Sequence, residues 1–141
     1  MTAFNIEKYI DSLPENIETI NISDRGLTYL PSLQRFYNLQ HLICNNNQLT
    51  SLPELNHTLI TLTCSYNKLT YLPELNDALT ELICYNNQLT SLPKLNNSLQ
   101  ILYCSANQLT NLPELNVSLK SFSCSNALYG TRTRGISSIR R

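Results

Sequence analysis

The sequence lacks any long apolar run, and no stretch approaches the roughly 18 apolar residues that a membrane-spanning helix needs. Its start, MTAFNIEKYIDSLPENI, also lacks the basic segment and apolar run of a secretory signal. Net charge is absent as well, since 10 basic residues balance 10 acidic ones, which argues against nucleic acid as a partner. We therefore expect a cytoplasmic protein, in its own or a host cell, with no membrane or nucleic-acid partner.

The sequence does contain a repeat. From Leu39 onward the motif LxxLxCxxNxLTxLPxLNxx returns every 20 residues, and a degenerate unit of 22 residues precedes it from Ile17. A single unit buries too few side chains to fold, whereas stacked units share one continuous core. The period therefore predicts a solenoid of about five to six coils.

Within each unit, the LxC segment alternates apolar and polar positions, which is the period of a β-strand. We expect short parallel strands at 41–45, 61–65, 81–85 and 101–105, with leucine and cysteine pointing inward. The asparagine that follows each strand can both donate and accept hydrogen bonds, so stacked copies should satisfy backbone groups of the turn. This structural ladder comprises Asn47, Asn67, Asn87 and Asn107. The Leu-Pro segment should run extended along the opposite, convex side.

The two ends of the chain depart from the repeat. Residues 1–16 hold apolar residues at helical spacing after Asn5, a suitable N-cap, and we expect a short helix that covers the first repeat. The repeats then occupy residues 17–126. Residues 127–141 hold four arginines, no acid and several Gly, Ser and Thr residues, a composition that predicts a flexible basic tail.

The repeat closely resembles the short bacterial leucine-rich repeats with a Leu-Pro pair, as in YopM-like and IpaH-like effectors, and is similar to leucine-rich-repeat arrays of giant viruses. The resemblance covers residues 17 to about 126. It implies an α/β repeat fold: a leucine-rich-repeat solenoid with a parallel concave β-sheet, an extended convex side and a short N-terminal capping helix. The chain departs from the LPxLP pattern at Asn56, Asn76, Asn96 and Asn116. It leaves no room for the ubiquitin-ligase domain of IpaH-like proteins, so no ligase activity is carried over.

The cysteines occupy one phase of the repeat, on the inward face: Cys44, Cys64, Cys84, Cys104 and Cys124. Neighbouring strands lie about 4.8 Å apart, near or beyond the Cβ separation of a disulfide, and a straight column does not converge on a zinc ion. His41 points outward from the strand whose Cys44 points inward, so the two cannot form a nucleophile pair. We predict buried thiols, no cofactor, no metal site and no enzyme; a metal or redox role is the minor alternative.

Exposed isoleucine and tyrosine on a polar sheet are typical of the anchors of a protein interface. Tyr66, Tyr85 and Tyr103 fall on three adjacent repeats of the concave face. The alternative is that β-branched and aromatic residues merely favour strands. The predicted protein-binding residues are His41, Ile43, Asn45, Thr63, Tyr66, Glu81, Ile83, Tyr85, Ile101 and Tyr103.

The sequence thus predicts a non-enzymatic protein-binding module whose concave face holds an unknown protein or peptide. One alternative is a structural protein that self-associates, as a homodimer, through an uncapped last repeat, because an exposed strand edge invites pairing. Another is a remnant effector-like array without a present role, since units 39–58, 59–78 and 79–98 are nearly identical.

Overall fold

Each repeat contributes one short strand to a single sheet. The structure is a computed structural model that describes residues 3–125 and, by their backbone, residues 138–140. The strands are β1 Thr19–Asn21, β2 His41–Ile43, β3 Thr61–Thr63, β4 Glu81–Ile83, β5 Ile101–Tyr103, β6 Ser121–Ser123 and β7 Ser138–Arg140. They lie in the sheet in chain order, and neighbours from β1 to β6 are parallel.

The register of the sheet repeats the period of the sequence, since Leu42 pairs with Leu62 and Leu62 with Leu82. The strands are three residues long, two fewer than the sequence predicted. Inter-strand bonding continues past the strand, because the Asn46 N–H donates to the Ser65 carbonyl at 3.0 Å. Asn46 itself has a φ of 56°, and this left-handed residue turns the chain out of the strand direction.

The core lies between the sheet and the extended convex segments. The leucines that precede β2 to β5 are completely buried, namely Leu39, Leu59, Leu79 and Leu99. Burying a leucine stabilises the folded chain by about 1.5–3 kcal/mol relative to an exposed one, and neighbouring repeats supply the buried environment. The predicted solenoid, with its parallel sheet and extended convex side, is confirmed.

A short helix covers the first repeat, as predicted. Helix α1, Ile6–Ser12, begins after Asn5, whose side chain accepts a hydrogen bond from the Lys8 N–H at 3.0 Å. Ile6 and Ile10 are buried against the repeat. With seven residues, α1 is too short to cross a membrane, and no other described segment forms a helix that could do so.

Arg35 fastens the end of α1 to the first repeat. Its guanidinium donates to the carbonyl oxygens of Ile10 and Leu13, the latter at 3.0 Å. The same guanidinium lies over the Phe36 ring, 4.2 Å from the ring centroid. The helix cap and the repeats are therefore joined by charged hydrogen bonds as well as by apolar packing.

The C-terminal edge of the repeat sheet carries a strand of the same chain. β7 pairs antiparallel with β6, with Phe122 opposite Ile139. The sequence predicted an open edge at the last repeat, and this prediction is wrong for the pairing edge of β6. The predicted flexibility of the tail falls largely on residues 127–137 and 141, which lie outside the described residues.

Candidate functional site

The asparagine that follows each of the strands β2 to β5 binds backbone groups of its own and the preceding repeat. Asn67 donates from Nδ2 to the carbonyl oxygens of Cys44 and Cys64, at 3.0 and 3.1 Å. Its Oδ1 accepts from the Leu49 N–H at 3.0 Å. Equivalent contacts form at Asn47, Asn87 and Asn107. This column fixes where the chain leaves each strand, and so positions the concave side chains.

A second asparagine column, to which sequence reasoning assigned no role, lies on the convex side. Asn76 Nδ2 donates to the Leu59 carbonyl at 2.7 Å, and Asn96 Nδ2 to the Leu79 carbonyl at 2.9 Å. The column comprises Asn56, Asn76, Asn96 and Asn116. Their recurrence at one phase of the repeat was the signal that could have identified them.

Nine of the ten predicted binding residues lie in three outward columns of the sheet and are half-buried, whereas Tyr66 lies in the turn after β3 and is exposed. The first column holds His41, Glu81 and Ile101, the second Ile43, Thr63, Ile83 and Tyr103, and the third, just past the strands, Asn45 and Tyr85. In strands β1 to β6, Glu81 is the one carboxylate at an outward position, and none of these positions holds Lys or Arg. The face that these six strands form is therefore nearly uncharged.

The three concave tyrosines are not one cluster. The rings of Tyr66 and Tyr85 meet edge-on, with centroids 5.5 Å apart and planes at 83°. Tyr103 directs its hydroxyl to Ser121 instead, at an oxygen–oxygen distance of 2.8 Å. The first pair forms the kind of edge-to-face contact that aromatic rings favour, and Tyr66 leaves 51% of its surface exposed.

The backbone of Tyr66 is left-handed, with a φ of 57°. Asp24, Asn46 and Asn86 hold the same conformation in other repeats, as does Ala106. Asparagine and aspartate tolerate this region, whereas for a bulky residue it is an uncommon and strained state. The position beside Tyr85 thus carries an aromatic side chain where the local backbone favours asparagine.

The third strand carries the smallest outward side chains of the concave face. Its outward residues, Thr61 and Thr63, and Ser65 just beyond, have small hydroxyl side chains, whereas the flanking strands carry larger ones. Ile43 and Ile83 flank Thr63, and Asn45 and Tyr85 hold the positions on either side of Ser65. Ser65, which is only 1% exposed, was not among the predicted binding residues. The signal for it was the change from large to small residues at one phase of the repeat.

The cysteine column is buried and its thiols are free. Burial raises the pKa of Cys44 and Cys84 to about 12, and it also raises the pKa of Cys64 well above its ordinary value. Cys104 and Cys124 share a hydrogen bond, which raises the pKa of Cys104 and lowers that of Cys124. Thiols that stay protonated inside a core are poor nucleophiles and poor metal ligands. In the part of the chain that the structure describes, no group of three potential metal-binding side chains converges.

Solved structures similar to this chain share its repeats. YopM, a leucine-rich effector protein from Yersinia pestis, matches 77% of the chain at 38% identity with a TM-score of 0.71. The chain has the leucine-rich-repeat fold. The leucine-rich-repeat domain of a Shigella effector matches 82% of it at 34% identity, also with a TM-score of 0.71. YopM from Yersinia enterocolitica WA-314 matches 82% at 31% identity, with a TM-score of 0.58.

These structures support a leucine-rich-repeat protein of the bacterial type, and effector-like neighbours suggest a repeat module for protein interaction. The chain spans 31%, 50% and 30% of the lengths of the three solved chains, respectively. No protein-family model and no curated protein matches it. The similarity to giant-virus arrays stays a prediction, because none of these comparisons bears on it.

Proposed function

We propose that this chain is a non-enzymatic protein-binding module whose concave face takes up a protein or peptide. The observation that carries the proposal is Tyr66, a half-exposed aromatic residue in a left-handed conformation beside Tyr85. Such backbone strain costs about 1–3 kcal/mol and is concentrated at functional sites. Asparagine would make the same turn with less strain, as at Asn46 and Asn86, so a tyrosine here favours a role in binding.

Apolar residues at outward positions of β4 and β5 support the same face. Ile83 pairs with Tyr103 across β4 and β5, and Ile101 lies next to Glu81 in the neighbouring column. A contiguous group of tyrosine and isoleucine with few charges has the composition of an interface centre, where aromatic residues contribute most of the binding energy. YopM and the Shigella protein are effectors, which is consistent with a binding role for the similar chain.

The non-enzymatic part of the proposal rests on the thiols, the strongest nucleophiles in the chain. A thiolate rather than a thiol attacks a substrate, and burial raises the pKa of Cys44, Cys64 and Cys84. Free thiols are also typical of a reducing compartment. We therefore place the protein in the cytoplasm, of its own cell or of a host.

Replacement of both Tyr85 and Tyr103 by alanine tests the proposal. Peptides selected from a phage-displayed random library on the intact chain serve as probes, and fluorescence anisotropy measures their affinity. We expect the double variant to lose about 2 kcal/mol or more, roughly 30-fold in Kd, because aromatic anchors are removed. Its far-UV circular dichroism should be unchanged, since both side chains point away from the core.

The matched control is Tyr71→Ala, since Tyr71 is 55% exposed but lies outside the concave columns. This variant should bind the same peptides as the intact chain. Equal affinity of the double variant and the intact chain would place the interface elsewhere. A library that yields no binder would contradict peptide binding.

Self-association through the last repeat is a weaker candidate, because β7 already pairs with β6. A homodimer formed at that edge would have to displace β7 or pair with its outer side. Light scattering over a concentration series decides this point. A monomer at all concentrations excludes the homodimer, whereas a mass that rises with concentration would favour it over the proposed function.

A further inference from the structure

The first strand of the sheet has a neighbour on one side only. β1 pairs with β2, and no other strand of the part of the chain that the structure describes lies beyond it. Its outward residues, Thr19 and Asn21, are exposed, whereas the outward residues of β2 to β6 are half-buried. The sheet therefore ends at β1, and the missing neighbour accounts for the extra exposure.

The hydrogen bonds between β1 and β2 use only every second residue of the first strand. The Glu18 carbonyl accepts a bond from β2 at 3.0 Å, and the Ile22 N–H donates one to β2 at 2.8 Å. Alternate residues of a strand direct their backbone groups to opposite sides, so the N–H and C=O groups of Thr19 and Asn21 point away from β2. No described residue outside β2 bonds them.

The N-terminal helix does not close this edge. It is fastened to the segment that follows β1, since Glu7 accepts a hydrogen bond from the Tyr29 hydroxyl at 3.1 Å and the Ile10 carbonyl accepts one from Arg35. No Cα atom of α1 lies within 8 Å of a Cα atom of β1. The outer backbone groups of β1 are therefore accessible to an extended chain from outside.

The edge is also acidic. The segment from Glu15 to Asp24 holds these two acids and Glu18, all exposed, and no Lys or Arg. The next residue, Arg25, lies over the Phe4 ring, with its guanidinium carbon 4.8 Å from the ring centroid. Lysine, proline and bulges are common devices that keep an edge strand from pairing, and β1 has none of them. An open acidic edge favours a basic strand as its neighbour.

We propose that the outer edge of β1 binds an extended basic peptide segment of another protein, which adds one strand to the sheet. The backbone of this segment bonds the free groups of Thr19 and Asn21, and its Lys or Arg side chains lie near Glu18 and Asp24. Main-chain bonds then provide affinity, and the charges provide selectivity. This surface is separate from the tyrosines and isoleucines of the concave face, so the inference goes beyond the proposed function and does not depend on it.

A titration with a synthetic peptide tests the position and the charge of the site. The probe is KVTVTK, acetylated and amidated at its ends, and ¹⁵N-resolved NMR follows the backbone amides of the protein. We expect the Thr19 and Asn21 amide signals to shift and their hydrogen exchange to slow, while the amides of β3 and β4 stay unchanged. The acidic peptide EVTVTE should bind at least roughly tenfold more weakly, because its charges repel those of the edge. Shifts confined to other strands, or equal binding of the two peptides, would overturn the proposal.

A second peptide separates strand addition from attraction by charge alone. KVTVTK that is N-methylated on every residue keeps both lysines but has no backbone N–H to donate. We expect it to cause no shift at Thr19 or Asn21. Equal binding of the methylated and unmethylated peptides would contradict the added strand, since only the charges would then matter.

The matched protein variants are Thr19→Pro and Thr19→Ala. Proline removes the outward N–H and alanine keeps it, and proline is tolerated on the open side of an edge strand. Both variants should keep the Tm of the intact chain. Thr19→Pro should weaken KVTVTK binding by roughly 3- to 10-fold, whereas Thr19→Ala should bind as the intact chain does. Equal affinity of the two variants would overturn the assignment of this edge.

Charge variants keep the test decisive if Thr19→Pro does not fold. Glu18→Gln with Asp24→Asn retains the hydrogen-bonding groups, and asparagine fits the left-handed backbone at residue 24. The double variant should bind KVTVTK roughly tenfold more weakly at low salt and should lose most of the salt dependence of binding. An unchanged affinity and salt dependence would contradict a basic partner at this edge.

Two further measurements separate this proposal from the others. Tyr85→Ala with Tyr103→Ala should bind KVTVTK as the intact chain does, whatever its effect on the library-selected peptides. A loss of KVTVTK binding in that variant would place this peptide on the concave face and overturn the edge site. Light scattering without peptide should show no association that Thr19→Pro abolishes. Such association would mean that a second copy occupies the edge, and the proposed partner would be wrong.

Discussion

At the scale of single residues, asparagine side chains replace the hydrogen bonds that the sheet stops providing. Each strand ends after three residues, and Asn67 and its equivalents bond the carbonyl and N–H groups left in the turn. The convex asparagines make fewer such bonds, since the Oδ1 atoms of Asn76 and Asn96 have no partner among the described residues. The two columns should therefore differ in their contribution to stability.

Replacement of Asn67 by alanine should lower the free energy of unfolding by about 3 kcal/mol or more, because several buried backbone groups lose their partners. Asn96→Ala is the matched control at the other column and should cost about 1–2 kcal/mol. Urea denaturation, followed by circular dichroism, measures both. Equal losses would show that the concave-side ladder has no special role.

At the scale of elements, the sequence predicted which residues of each strand point inward and which point outward. It did not predict the residue at which each strand ends. The inward leucine and cysteine and the outward columns follow from periodicity, and the structure has them at the predicted positions. Strand length depends on the left-handed residue that follows, and this position is held by Asp24, Asn46, Tyr66, Asn86 or Ala106. No single residue type marks it, so the sequence did not reveal it.

The side-chain contacts of the site also could not be predicted from the sequence. Periodicity places Tyr66, Tyr85 and Tyr103 on one face, but the rotamers decide that two of them meet and that the third bonds Ser121. The buried hydroxyls of Thr63 and Ser65, which have no hydrogen-bond partner among the described residues, likewise depend on side-chain packing that periodicity does not predict. A repeat predicts which positions share a face of the sheet, and packing decides which of those side chains interact.

The junction between α1 and the repeats gives a prediction at this scale. Arg35→Ala should remove two hydrogen bonds to the end of α1 and lower the free energy of unfolding by about 1–2 kcal/mol. Amide exchange in α1 should become faster than in β3. Arg35→Lys is the control and should retain part of the protection, since it keeps the charge but lacks the planar guanidinium. Unchanged exchange in both variants would indicate that apolar packing alone holds the helix.

At the scale of the whole molecule, the buried thiol column should lower the free energy of unfolding at alkaline pH. The folded chain holds its thiol protons more tightly than the unfolded chain, because burial raises their pKa from 9.0 to about 12 at Cys44 and Cys84. This contribution is complete below pH 9.0 and is lost as the pH rises through about 12. Each such thiol lowers the free energy of unfolding by about 1.4 kcal/mol per pH unit over that range.

Urea midpoints at about pH 8 and about pH 10.5 test this expectation, and the midpoint should be lower at the higher pH. The variant Cys44→Ala with Cys84→Ala should show a smaller decrease, which separates the thiols from other groups that titrate there. Identical pH dependence of the two proteins would mean that these thiols ionise as easily in the folded chain as in the unfolded one.

The most direct test of the concave interface compares Tyr66→Asn with Tyr71→Ala. Asparagine fits the left-handed backbone at residue 66, so we expect Tyr66→Asn to keep or raise the Tm while it weakens peptide binding by about tenfold or more. Tyr71→Ala should leave the affinity unchanged. Unaltered binding by Tyr66→Asn, or an equal loss in Tyr71→Ala, would contradict the assignment of the concave face as the binding surface.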